Sequence, residues 1–477
     1  MAKEYSDVVQ LESTDISKYG YKQELDRSMN VWQLTAFGLN YMVPIAPAII
    51  FGSLLSISGG SVALPYLFAG IAMLLTGISY STMVKNFPLA GSVYNYVGRG
   101  WNVHLGFVSG WVLTLDYVLI PTVTSASAAY FAQQYFPSMP YWSLLAIFTL
   151  GTGLLNLFGI ELLSKLGLGL LIAGEFIVWM TILVWAHAVQ FDGVGTGTLL
   201  STEPFHFTNF SAMATATSLA VFSFLGFDAI TTLAEETNHP KKDIPRAIYW
   251  CVGIGTVTMF VTGFVGMLVV PDWESHINNE TWVATTLFQV TQMTGGQFFT
   301  TIYTACFLAE MAVFNLVATA AGARLLYGMG RDSLIPKKIF ASINKKWKTP
   351  HWNIIIIVAI EFILGISANI TALSNLVNYG ALFGFATLNL SVIWLYYVKK
   401  KGNSLSGDHE REMIKPSGWQ HLRFLVLPLM GFAVIACVWI SMDRSALLIG
   451  TIWLIIGIIF LAFKTKGFRQ LPPELHR

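Results

Sequence analysis

The sequence predicts an all-α polytopic membrane protein with about 12 transmembrane helices, on the basis of its composition, its apolar runs and the placement of its charges. Of the 477 residues, 54% are hydrophobic and only 11% are charged, and the mean hydropathy is +0.59. A soluble domain of ordinary composition carries about 25% charged residues. The formal net charge of +2 gives no reason to expect binding to nucleic acid.

Twelve apolar runs are long enough to be membrane spans, since crossing a hydrocarbon core of about 30 Å takes about 20 residues. The first 30 residues are polar and lack the apolar core of a cleavable signal peptide, so span one is expected to act as its own insertion signal. Spans nine and ten are the least distinct pair. The predicted spans are 31–56, 62–84, 103–134, 141–158, 166–189, 212–234, 246–270, 297–326, 352–368, 373–397, 422–441 and 446–464.

The placement of basic residues predicts the orientation. With the N-terminus in the cytoplasm, 27 of the 28 Lys and Arg residues lie in the inner segments or at the span ends beside them, and Arg444 is the exception. Because basic residues are retained on the cytoplasmic side, this favours a cytoplasmic (plasma) membrane protein with both termini inside. The basic loop from Lys337 to Lys348 is expected to lie against membrane lipid.

Two spans contain residues that break helices at mid-depth. Span one has a glycine and two prolines within residues 37–47 (FGLNYMVPIAP), and span six has Gly226 close to Asp228. Proline removes a backbone donor, and unpaired backbone in a membrane is tolerated where it lines a cavity. Because the two spans are five apart, spans 1–5 and 6–10 are predicted to form an inverted repeat. The alternative is coincidence, because Pro and Gly are common in membrane helices.

Four segments resemble the amino acid–polyamine–organocation superfamily of transporters, and the similarity runs over nearly the whole chain. They are residues 87–96 (FPLAGSVYNY), 224–228 (FLGFD), 235–248 (EETNHPKKDIPRAI) and 322–332 (GARLLYGMGRD). Within the superfamily, residues 115–121 (LDYVLIP) and 222–233 (FSFLGFDAITTL) most resemble bacterial putrescine importers.

This resemblance implies a LeuT-like fold of five plus five helices with broken helices 1 and 6, followed by two C-terminal helices. It also implies alternating access without ATP, and the sequence has no Gly-rich loop followed by Lys and Ser or Thr that would hold a nucleotide. The predicted divisions are an N-terminal cytoplasmic tail, a transport core, an inner loop with two further spans, and a C-terminal cytoplasmic tail. Their bounds are 1–30, 31–397, 398–464 and 465–477.

The residues at the first break favour a substrate that lacks a carboxylate. Superfamily members that carry amino acids typically bind the substrate carboxylate on a Gly-rich stretch, whereas residues 40–44 here are NYMVP, with larger side chains and a proline. We therefore predict an importer of a polyamine such as putrescine, and we expect its transport to be coupled to protons. The alternatives are a permease or exchanger for an amino acid or another small amine metabolite, and a membrane receptor without net transport.

The predicted substrate-binding residues surround the two breaks and span three. Carboxylates and aromatic faces suit an ammonium group, and acids within spans are usually functional. Asp228 is the first choice as ammonium partner, and the alternative is that it caps the half-helix. By its likeness to the importers, Tyr117 is expected to line the pocket. The predicted set is Asn40, Tyr41, Asp116, Tyr117, Phe224, Gly226 and Asp228, with Phe227 and Trp111 as further candidates for aromatic walls.

Other acids have different predicted roles. Glu175 in span five and Glu310 in span eight are candidates for proton coupling, and the alternative is a neutral, hydrogen-bonded glutamate at a helix interface. Glu235 is predicted to pair with Lys241, Lys242 or Arg246 as a cytoplasmic latch, and Glu236 is a further candidate whose role is left open. The sequence shows no nucleophile–base pair, no cofactor motif and no metal-ligand spacing. We therefore predict that the protein is not an enzyme and that it binds no cofactor and no metal. The sequence leaves the oligomeric state open.

Overall fold

A computed structural model of the protein describes residues 27–42, 45–158, 160–367, 370–399 and 418–469. These residues are almost entirely helical, and within those ranges the only extended pairing is an isolated bridge between Met29 and Thr237. The prediction of an all-α protein is confirmed.

Fourteen helices carry the architecture of the described chain. They are α1 (Val31–Met42), α2 (Pro47–Ser58), α3 (Ala63–Asn86), α4 (Ser92–Gly100), α5 (Val103–Tyr135), α6 (Tyr141–Leu157), α7 (Ile160–Phe191), α8 (Phe210–Ala220), α9 (Pro240–Val269), α10 (Glu280–Arg331), α11 (His351–Ser367), α12 (Ile370–Ile393), α13 (Leu427–Ile440) and α14 (Arg444–Lys464).

The helices account for the predicted spans. By length and composition, nine helical segments of the described chain could each cross a membrane, and α1 with α2 forms a tenth, bent by 54°. Two shorter apolar helices, Tyr141–Leu157 and His351–Ile366, coincide with predicted spans four and nine. The protein is therefore a polytopic membrane protein.

Both predicted breaks are present. Span one is divided between Met42 and Pro47, and Pro47 begins α2, where the missing amide of proline removes no helical hydrogen bond. Val43 and Pro44 lie outside the described residues. In span six, α8 gives way to a 3₁₀ turn over Val221–Phe224, and a second 3₁₀ segment covers Asp228–Leu233. Between them Gly226 adopts a φ of +114°, which a residue with a Cβ rarely adopts.

α10 contains a further break, at the residue just before the predicted start of span eight. The helix is continuous from Glu280 to Arg331 except at Thr285 and Gly296, whose backbone angles are not helical. Gly296 has a φ of +71°, and the predicted span eight begins at the next residue. The residues before Gly296 form a separate helix that packs against α2.

The centre of the molecule is formed by α5, which packs against α10, α11, α12 and α14. α3 packs most extensively against α9, and both lie beside the broken segment after α8. As a result, side chains from α1, α3, α5 and the break in span six meet in one buried region.

The chain before α1 is fixed to the segment that follows the span-six break. The backbone amides of Ser28 and Met29 both donate to the carbonyl of Glu236 at 3.0 Å, and Asn238 N donates to Met29 O at 3.1 Å. The Met29 side chain is fully buried. The last described residues of the predicted N-terminal tail are therefore part of the packed structure.

Candidate functional site

The break in span six places a carboxylate in the interior of the bundle. Asp228 is fully buried and begins the second 3₁₀ segment of this span. Its Oδ2 accepts hydrogen bonds from Tyr117 Oη at 2.7 Å and from Tyr80 Oη at 3.3 Å. Its Oδ1 has no hydrogen-bond partner among the described residues, and the backbone amides of Gly226 and Asp228 lie near the carboxylate. Half of the carboxylate is thus held by phenols, and half is left for another donor.

A second acid lies close by on α5. Asp116 is 1% exposed, its Oδ1 has no hydrogen-bond partner among the described residues, and it is near enough to Asp228 for their charges to interact. No ion pair connects either acid to a basic side chain of the described chain. Burying two carboxylates without a cation is strongly unfavourable, so this arrangement is suited to a cationic ligand or to protons.

Aromatic rings surround the two acids. Tyr41, in the last turn of α1, meets Tyr117 edge-on with ring centroids 6.1 Å apart, and it lies 5.5 Å from Phe314 of α10. Its hydroxyl has no hydrogen-bond partner among the described residues. Ring faces and an unpaired hydroxyl near carboxylates can both stabilise an ammonium group.

The close contact between the two broken spans depends on Gly226. A Cβ built on this glycine would lie 2.4 Å from Cγ of Tyr41. Since that separation is too short for two carbon atoms, a larger residue would force the two breaks apart. The positive φ of Gly226 excludes a side chain for a second reason.

The remaining predicted residues of this site differ in where they lie. Asn40 is buried in α1 beside Tyr41. Phe224 is buried against Tyr66 of α3, with ring centroids 6.5 Å apart. The suggestion that Trp111 forms a wall is wrong. Its indole stacks on Trp453 of α14 with ring centroids 4.8 Å apart, and the ring N–H of each tryptophan donates to the backbone carbonyl of the other.

Glu310 and Glu175, the candidates for proton coupling, lie near each other, and Glu310 also lies beside the break in span one. A Cβ on Gly174 of α7 would lie 1.6 Å from Glu310 Oε1, so the glutamate occupies the space that this glycine leaves. The backbone of Ile45, within the break, also lies beside the Glu310 carboxyl. Glu175 Oε2 accepts a hydrogen bond from Thr258 of α9 at 3.4 Å.

The acids after the span-six break pair with two arginines of α10, which were not among the predicted partners. Glu235 forms a two-point ion pair with Arg331, at 3.0 and 3.1 Å, and also accepts from Ala90 N at 3.2 Å. Glu236 pairs with Arg324 at 2.5 and 3.2 Å. The predicted pairing with Arg246 is wrong, because Arg246 is exposed on α9 and forms no ion pair with either acid among the described residues.

Comparison with known proteins identifies the family. The family model described as amino acid permease matches residues 29–470. The chain belongs to the amino acid permease family. The resemblance seen in the sequence to the larger superfamily of transporters is thereby confirmed, and the protein is a multi-pass membrane transporter rather than an enzyme.

The relatives of this permease are named for different substrates. It is 31% identical over 460 residues to the low-affinity putrescine importer PlaP of Escherichia coli, covering 94% of this chain and 96% of that protein. It is 24% identical over 473 residues to the branched-chain amino acid permease BcaP of Bacillus subtilis, covering 94% and 95%. It is 22% identical over 468 residues to the methylthioribose transporter of B. subtilis, covering 94% and 96%.

Two residues of the permease site were not predicted from the sequence. Tyr80 of α3 bonds to Asp228, and its ring lies edge-on to Phe227 at 5.7 Å and to Phe385 of α12 at 6.0 Å. The only signal in the sequence was a short polar run, residues 79–82 (SYST), within an apolar span. Phe314 lies four residues after Glu310, and nothing in its sequence context distinguished it from other apolar residues of α10.

Proposed function

We propose that this permease imports a polyamine such as putrescine. The observation that carries the proposal is the buried pair Asp116 and Asp228, which has no basic partner in the described chain. A diamine has two ammonium groups and no carboxylate, and it therefore matches two acids in both charge and number. Its ammonium groups would donate to the free carboxylate oxygens and lie against the rings of Tyr41 and Tyr117.

The same two acids disfavour an ordinary α-amino acid. Its carboxylate would enter a region that already holds two negative groups, and like charges at short distance in a low dielectric repel strongly. α1 ends at Met42. Superfamily members that carry amino acids typically have a Gly-rich stretch at this place, whose free amides bind the substrate carboxylate. The second candidate is still an amino acid permease or exchanger, and the relative named for branched-chain amino acids favours it.

Proton coupling through Glu310 and Glu175 is part of the proposal. Glu310 lies beside the backbone of Ile45, so its protonation state would be sensitive to any movement of the break in span one. Glu175, on the neighbouring helix α7, would share or pass on the proton. A carboxyl group that alternates between two environments can take up a proton in one and release it in the other.

The latch is proposed to close the cytoplasmic side. Glu235–Arg331 and Glu236–Arg324 connect the end of span six to the end of span eight, and all four side chains are largely buried. In an alternating-access cycle these pairs would separate when the site opens inward. The proposed setting is the cytoplasmic membrane with both termini inside, supported by the distribution of basic residues.

Uptake by proteoliposomes tests the proposal. Purified protein should accumulate labelled putrescine, and Asp228→Asn should abolish this uptake because one ammonium group loses its charged partner. Asp192→Asn, which changes an exposed acid, is the matched control and should leave uptake unchanged. Accumulation of branched-chain amino acids without putrescine would instead establish the second candidate. Unaltered uptake by Asp228→Asn would show that the acid is structural.

A further inference from the structure

Glu361 forms a second buried polar cluster, built from residues other than those around Asp228. It lies in α11 and is fully buried. Ser125 Oγ of α5 donates a hydrogen bond to Glu361 Oε1, and Asn315 Nδ2 of α10 donates to the same oxygen at 2.5 Å. Asn315 Nδ2 also lies 3.1 Å from Thr152 Oγ1 of α6. The cluster therefore connects four helices.

The partners of Glu361 are all neutral. In the part of the chain that the structure describes, no basic side chain forms an ion pair with it. Glu310 and Asp116 are five and nine residues from Asn315 and Ser125, or about 7 and 13 Å along their helices. The ionisable residues of the elements that pack against α11, together with His351 of α11 itself, are His104, Asp116, Tyr117, Tyr130, Tyr135, Tyr141, Glu280, Tyr303, Cys306, Glu310, Arg324, Tyr327, Arg331, Lys337, Lys338 and His351.

Several of these ionisable groups bond to other partners or are exposed. Arg324 pairs with Glu236, and Tyr141 donates to the carbonyl of Gly365 at 2.9 Å. Tyr130 is 46% exposed at the far end of α5. Within the described structure no ion pair connects Glu361 to a lysine, an arginine or a histidine of these elements.

The two oxygens of Glu361 have different hydrogen-bond environments. Oε1 receives both donors, whereas Oε2 has no partner in the described chain. A protonated carboxyl group has this asymmetry, because its carbonyl oxygen accepts two hydrogen bonds while the other oxygen carries the proton. An ionised carboxylate would need donors at both oxygens, and burying it without a cation is so unfavourable that such groups usually become neutral.

We propose that Glu361 is a proton-binding site at the junction of α5, α6, α10 and α11, and that its proton holds these four helices together as one body. The neutral carboxyl accepts from Ser125 and Asn315 without introducing a charge. Deprotonation would place an uncompensated negative charge between the helices and weaken their contact.

Infrared spectroscopy of the full chain in proteoliposomes, without substrate, tests the proton directly. At neutral pH the wild-type protein should have a carboxylic-acid carbonyl band that Glu361→Gln lacks. The exposed Glu203→Gln is the matched control and should retain the band. If Glu361→Gln removed intensity from the ionised carboxylate bands instead, the proposal would be overturned.

Ser125→Ala provides a second spectroscopic measurement that does not depend on the folding of Glu361→Gln. Removing one donor to the carbonyl oxygen should move the same band to higher frequency. A band that does not move would contradict the assignment to Glu361.

Thermal unfolding tests the structural part of the proposal. Glu361→Gln is neutral and should unfold within about 2 °C of wild type, whereas Glu361→Leu removes the acceptor shared by Ser125 and Asn315 and should unfold about 5 °C lower or more. An equal loss in both variants would show that a neutral polar group is not what the junction needs. None of these measurements involves transport, so they stand or fall separately from the proposed substrate.

Discussion

At the residue scale, the candidate site depends on which atoms face Asp228. The two phenols bond to one carboxylate oxygen and leave the other available, so they orient the acid without neutralising it. Hydrogen bonds to charged groups contribute about 1.5–3 kcal/mol, and shorter ones contribute more. The Tyr117 bond, at 2.7 Å, should therefore matter more than the Tyr80 bond, at 3.3 Å.

Tyr117→Phe should raise the KM for substrate about tenfold or more. It removes the shorter hydrogen bond to Asp228, and this bond stabilises the orientation of the carboxylate by about 1.5 kcal/mol or more. Tyr80→Phe is the matched comparison and should raise the KM less. The measurement is the concentration dependence of uptake in proteoliposomes for both variants. A larger effect of Tyr80→Phe, or no effect of either, would contradict this account of how Asp228 is held.

At the element scale, two of the stretches of irregular backbone lie where function is proposed. The breaks in spans one and six meet at Tyr41 and Gly226, while the segment after the second break carries Glu235 and Glu236 to the arginines at the end of α10. The chain before α1 is bonded to this same segment. A movement of span six would therefore act on the latch and on the start of α1 together.

Arg331→Gln should destabilise the protein, because it leaves the Glu235 carboxylate buried without its ionic partner. Breaking one side of a buried pair costs about 3–5 kcal/mol. Thermal unfolding of the detergent-solubilised protein should report a clearly lower Tm. Arg246→Gln is the matched control, since that arginine is exposed, and its Tm should be unchanged.

The double variant Glu235→Gln with Arg331→Gln separates the two explanations of such a loss. It should recover part of the lost stability, because the unpaired charge is gone. A double variant that is as unstable as the sum of both single changes would mean that the residues act independently rather than as a pair.

At the scale of the whole molecule, the uneven distribution of charge predicts the orientation in the membrane. All but one of the 28 Lys and Arg residues lie on one side if both termini are cytoplasmic. The membrane insertion machinery retains such residues inside. The odd and even connections between spans must then alternate between the two sides.

Cysteine labelling checks this orientation. In a variant without Cys251, Cys306 and Cys437, a cysteine replacing Glu203 should react with a membrane-impermeant maleimide in intact cells. A cysteine replacing Lys346 should react only after the cells are permeabilised, because it lies in the predicted inner loop. The reverse pattern would mean that the chain is inserted the other way round.

That the chain has many membrane spans, and that spans one and six are broken, follows from the sequence alone. Spans are set by the length of apolar runs against a fixed hydrocarbon thickness, and breaks are set by Pro and Gly, whose effects on the backbone are local. Asp228 and Tyr117 could be predicted as substrate-binding residues for related reasons. An acid inside an apolar span is uncommon, and Tyr117 belongs to a short motif that resembles the importers. These are properties of short segments, so tertiary structure changes them little.

Only the tertiary structure decided which side chains meet. Tyr80 reaches Asp228 across 148 positions of sequence, and Arg331 reaches Glu235 across 96, whereas the nearby Arg246 turns outward. Trp111 looked suitable for the pocket and instead stacks on α14. The physical reason is that a helix presents each residue in a direction set by its rotation and by its neighbours. That rotation is fixed by packing among all the helices, and local sequence does not specify it.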